Sequence, residues 1–121
     1  MDAGADARCE GRPRLTELDT YAFVLLRRPA DAPALPEAEL ELLQERHLAH
    51  LASLAKAGKI VAAGPFSDQR DESLRGLCVY RTSLEEARTL AEQDPAVQAG
   101  RLAVDVMTWW TKRGSVSFTR A

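Results

Sequence analysis

The chain has 121 residues, a length that suits one compact domain and leaves little room for a second. Its 16 Lys and Arg against 18 Asp and Glu give a net charge of −2, which excludes the basic surface a dedicated nucleic-acid binder needs. With 45% hydrophobic and 28% charged residues the composition is that of a globular protein, and no charge-free run approaches the ~20 apolar residues of a membrane-spanning helix.

Residues 1–19 are rich in Ala, Gly, Asp and Arg without an apolar period, so they read as a flexible leader. They also lack the apolar segment of a secretory signal, and a cytoplasmic location is expected. The folded domain is expected over residues 20–112, followed by a C-terminal tail at 113–121. Tyr21–Leu26 (YAFVLL) is an apolar run of strand formers closed by Arg27, Arg28 and Pro29. From Pro36 a long helix is predicted, because Pro suits a first turn, Glu37, Glu39 and Glu41 favour its positive end, and Gly58 stops it.

Lys59–Phe66 (KIVAAGPF) reads as a second strand, with Gly64-Pro65 marking an edge, a bulge or a bend. A polar loop, Ser67–Ser73, leads to a third strand at Gly76–Arg81, and the short connection predicts an antiparallel hairpin. Ser83 with Glu86 three positions on has capping-box spacing and opens a second helix that runs to about Gln93. Asp94-Pro95 caps a further short turn that stops at Gly100, and Leu102–Trp110 is the fourth strand.

The order strand, helix, strand, strand, helix, strand predicts an α+β fold of the ferredoxin-like, split βαβ type. The strands are apolar at successive positions, so both sheet faces should be covered. Two helices cover only one. The expected cover for the other is the sheet of a second copy, making a homodimer.

On a helical wheel His47 falls in the middle of a stripe formed by Leu40, Leu43, Leu51 and Leu54, while His50 lies toward its edge. An imidazole aimed at the core needs a hydrogen-bond partner. For His47 two readings stay open, a satisfied core histidine and a functional one. Asp94 is equally open between a plain helix cap and a carboxylate that orients His47 for proton transfer. Gly64 and Pro65 form either a turn or a close backbone approach to a ligand; in the second case Ser67 and Asp68 border a pocket mouth, and otherwise they are solvated loop residues.

Trp109 and Trp110 alternate across the last strand, so at least one is expected in the core or a dimer interface. Cys78, in an apolar strand, reads as inert core rather than nucleophile. Cys9, Cys78 and two histidines have no metal-ligand spacing, and there is no phosphate loop or nucleophile elbow, so neither metal nor cofactor is expected.

The run RHLAHLASLAKAGKIVAAGPF, then GLCVY, SLEEA and DPAVQAGRLAVDVMTWW, resembles the YCII-related (YciI-like) proteins across about Thr20 to Trp110. The resemblance implies a dimeric α+β barrel of ferredoxin-like protomers with a His-Asp pair in a pocket near the dimer interface. The family histidine corresponds to His47, which keeps the spacing to Gly58, and the family aspartate to Asp94. Ala96 stands where many relatives carry an aromatic residue. A few relatives act as dehydrochlorinases or resemble muconolactone isomerases. The reading for this chain is a cofactor-free lyase or isomerase acting on an unidentified small molecule, with catalytic His47 and Asp94 and ligand contacts at Gly64, Pro65 and Ser67. The alternative is a dimer that binds a small metabolite without turning it over.

Overall fold

A computed structural model describes residues 17–119, and the leader up to residue 16 lies outside the described residues. The elements are β1 (Leu18–Arg27), α1 (Glu37–Lys56), β2 (Ile60–Pro65), β3 (Leu74–Tyr80), α2 (Leu84–Glu92), α3 (Pro95–Gln98) and β4 (Ala103–Lys112). They form one antiparallel sheet in the order β2-β3-β1-β4, which is the ferredoxin-like arrangement.

β1 starts three residues before the expected Tyr21. Leu18 pairs with Lys112 and Asp19 with Thr111, so the ladder with β4 extends through residues assigned from sequence to the leader. Leu18 is buried, which ties this end of the strand to the domain.

The period-2 rule of a strand sorts the sheet into two faces. Ala22, Val24 and Leu26 of β1 share one face with Cys78 and Tyr80 of β3, and with Leu54, Ile60, Ala87 and Ala91 they make the core. The helices cover this face. α1 lies over β2 and against α3, and α2 lies over β1 and β4. α1 has no side-chain cap: the Pro36 carbonyl accepts from the Glu39 and Leu40 amides at 3.0 Å, with Glu37 and Glu39 in the first turn and Lys56 in the last. α2 has the predicted cap, the Ser83 hydroxyl accepting from the Glu86 amide at 3.1 Å. Only half of a capping box forms, because the Glu86 carboxylate accepts from Lys59 Nζ at 2.6 Å instead.

Tyr21, Phe23 and Leu25 point to the other face, beside Val79 of β3 and Met107 and Trp109 of β4. Trp109 meets Tyr21 at 5.9 Å and Phe23 at 6.3 Å between ring centroids, yet remains 37% exposed. Trp110, on the helix-bearing face, is 46% exposed, so neither tryptophan lies in the core of this chain. Nearer the chain's end, Phe118 packs edge-on against Tyr21 at 5.2 Å. Part of the cover expected from a second copy is therefore supplied by the tail itself.

Candidate functional site

α1 places His47 where its wheel position indicated, buried at 9% exposure with Leu54 one face-repeat further on. His50, at the stripe's edge, is half-buried and bonds from Nε2 to the Leu90 carbonyl at 2.9 Å, which ties α1 to α2. His47 reaches across to the start of α3. Its Nδ1 lies 2.6 Å from Asp94 Oδ2, and Asp94 is 2% exposed. A carboxylate oxygen only accepts, so Nδ1 carries the hydrogen and Nε2 is the ring nitrogen left for another partner.

The Asp-Pro pair performs its local role at the same time. Asp94 is the N-cap of α3, its Oδ1 accepting from the Ala96 amide at 2.9 Å, with Pro95 in the first helical position. The two open readings of Asp94, helix cap and histidine partner, thus hold together, one on each oxygen. α3 is only four residues long and closes with two bonds, Gly100 N–H to the Val97 carbonyl at 3.0 Å and Arg101 N–H to the Ala96 carbonyl at 3.0 Å. That closure requires the left-handed conformation at Gly100, where φ is +78°. Asp94 and Arg101 are therefore held at opposite ends of one turn.

His47 lines a cavity of about 480 Å³, a size suited to a small molecule. Leu40, Leu43 and Leu51 of α1 give it an apolar wall, and Ala96 of α3 and Leu77 of β3 add to it. Gly64 and Pro65 of β2 line it as well. Ser67, expected with them, does not; it is exposed in the loop beyond β2. Arg28, Arg75, Gly76 and Arg101 also line the cavity, and none of these was singled out from sequence.

Gly76 has a steric reason for being glycine. A Cβ there would meet the Gly64 carbonyl oxygen at 2.6 Å, so β2 and β3 approach this closely only without a side chain. Gly64 itself has open space where a Cβ would lie.

Behind the pair lie Cys78 and Tyr80, both 1% exposed. Burial, with the nearby Asp94 charge, pushes the Cys78 thiol up to about 12. Burial likewise raises the Tyr80 phenol, with Cys78 and Asp94 contributing less. Cys78 is thus a protonated, inert core thiol. Among the described residues no group of three or more His, Cys, Asp or Glu is placed to hold a metal, and no helix is long and apolar enough to cross a membrane.

A sequence profile of the YCII-related domain matches residues 21–110. The chain belongs to the YCII-related domain family. No curated protein matches it. Among solved structures, the chain is similar to 5-chloro-2-hydroxyhydroquinone dehydrochlorinase from Burkholderia phenoliruptrix in complex with 2,5-dihydroxybenzoquinone. The identity is 22% and the TM-score 0.43, covering 77% of this chain and 95% of that one. In this member of the YCII-related family the domain's match begins at Tyr21 and ends at Trp110, so it takes in the cavity, the His47–Asp94 pair and all of the sheet except the outer ends of β1 and β4.

Proposed function

We propose that this YCII-related protein is a cofactor-free lyase or isomerase acting on a small molecule, with His47 as proton carrier and Asp94 as the group that orients it, in a cytoplasmic homodimer. The observation that supports this most is the 2.6 Å bond between two buried side chains, one of which lines the cavity. With Nδ1 held by Asp94, Nε2 of His47 takes a proton from a carbon acidified by a neighbouring carbonyl. The C–H electron pair moves into that carbonyl as an enolate, and Asp94 stabilises the imidazolium. Collapse of the enolate then either expels a leaving group on the adjacent carbon or takes the proton back at a different carbon. β2 is an edge strand, with backbone amides outside the ladder, and those near Gly64 stabilise the enolate oxygen.

The non-catalytic reading draws on a different observation, the second bond of Asp94, which makes the carboxylate part of a helix cap. Proton exchange separates the two. A panel of small ketones, enol-lactones and hydroquinones is incubated in deuterium oxide with the native chain and with His47→Ala, and followed by proton NMR. The enzyme reading expects exchange or turnover of at least one compound by the native chain alone. Compounds that bind, but are left unaltered by the native chain, would favour the binding protein.

A further inference from the structure

Three arginines line the cavity, and the charges of two of them act on the third. Arg28 follows the end of β1, Arg75 lies in β3 and Arg101 follows α3, and all three line the same space as His47. Their hydrogen bonds go to backbone carbonyls: Arg28 Nε to the Arg101 carbonyl at 3.4 Å, Arg101 to the Pro33 carbonyl at 2.9 Å, and Arg75 to the Glu72 carbonyl at 3.0 Å. Among the described residues no carboxylate lies within ion-pair distance of any of them.

The contrast with the preceding residue is informative. Arg27 has Asp105 at 2.6 Å and Asp71 at 3.9 Å, so this end of the sheet carries carboxylates, and they serve Arg27. Arg28 and Arg101 are both half-buried, where a cation ordinarily has an anionic partner. Instead each has another cation nearby. Burial, then the charges of Arg101 and Arg75, hold the Arg28 guanidinium below its ordinary range. Three like charges at the edge of an apolar cavity destabilise the empty protein and focus a positive potential into it.

We infer that Arg28, Arg75 and Arg101 form an oxyanion subsite, so that the ligand of this cavity has an apolar body and a carboxylate or phosphoryl group. Guanidinium groups suit such oxygens because their planar donors match the geometry of the anion. The leucine wall takes the body, and the arginines set which end of the ligand faces His47. This assignment rests on the cavity being the ligand site, and it adds the ligand's class to that reading.

Benzoate and benzamide, which share shape and differ in charge, are the probes, with phenyl phosphate as a third. Calorimetric titration of the native chain is expected to give benzoate about tenfold tighter binding than benzamide, and the advantage should shrink as sodium chloride is raised. Arg28→Gln and Arg101→Gln should lose that advantage while keeping benzamide binding, and Arg101→Lys should recover part of it. Arg75→Gln, at an exposed residue, supplies the same test without risk to the fold. Whichever of benzoate and phenyl phosphate binds more tightly identifies the anion. Equal binding of benzoate and benzamide, or arginine variants that bind benzoate like the native chain, would overturn the subsite and leave the cavity as a ligand site. Binding of none of the three would overturn the cavity reading as well.

Discussion

Asp94 accepts the Nδ1 hydrogen of His47 on one carboxylate oxygen at 2.6 Å and the Ala96 amide on the other at 2.9 Å, although His47 belongs to a different helix. One buried side chain therefore fixes the imidazole and starts α3. Asp94→Ala removes a helix cap, worth about 1 kcal/mol, and leaves a buried ring nitrogen unpaired, worth about 1–3 kcal/mol. Urea unfolding should show the sum, a loss of about 2–4 kcal/mol. Asp94→Asn retains an oxygen for the cap and should lose less. Equal losses in the two variants would mean that the cap contributes nothing.

Gly76 and Gly64 make an internally controlled pair. Gly76→Ala sets a Cβ 2.6 Å from the Gly64 carbonyl, and both strands must shift to relieve it. An overpacking cost of about 1–3 kcal/mol is expected in denaturant unfolding, with altered chemical shifts for residues along the cavity. Gly64→Ala meets nothing within 4 Å and should stay near the native stability. Similar losses in both would show that β2 is not held this close to β3.

Cys78 predicts a direction for alkaline stability. Its thiol is raised from an ordinary 9.0 to about 12 in the folded chain, so the unfolded chain releases this proton more readily. The stabilisation is complete below about pH 9 and is lost as pH rises toward 12. Unfolding free energies measured across that interval should fall, and Cys78→Ala should flatten the fall. The raised Tyr80 phenol acts in the same direction, so some slope should persist in the variant. A variant as steep as the native chain would assign the whole effect to other groups. The same protonation should make Cys78 unreactive toward iodoacetamide at pH 8 until the chain unfolds.

For the proposed homodimer, Trp109 and Met107 are the residues to test, 37% and 42% exposed on the face opposite the helices. Light scattering should give about twice the 13.3 kDa chain mass for the native protein. Trp109→Glu places a charge on that face and should return the single-chain mass. A native protein that stays at one chain mass removes the homodimer from the proposal.

The parts of this fold that were legible in the sequence are those governed by neighbours within a few residues. The Ser83–Glu86 spacing, the Asp94-Pro95 start and Gly100 stop of α3, and the His47 stripe each follow from helix geometry alone. The His47–Asp94 contact needed more, because the two residues are 47 positions apart and only the element order brings their helices onto one sheet face. The arginines were not legible at all. They come from the ends of three elements, and no spacing relates Arg28, Arg75 and Arg101 until the strands are in register. Gly76 was hidden for a related reason: its meeting with Gly64 depends on the register of β2 against β3, which shifts between Ile60 and Ala62. Phe118 lies in a tail with no apolar period to announce that it packs on Tyr21.

That contact between Phe118 and Tyr21 bears on how the protein is handled. A group attached close behind Phe118 sits beside the sheet face that carries Trp109 and Met107. A purification tag or fluorescent fusion placed there would compete with the partner copy of the proposed homodimer. Attached before Met1, the same tag is separated from Leu18, the first residue of β1, by seventeen residues of chain.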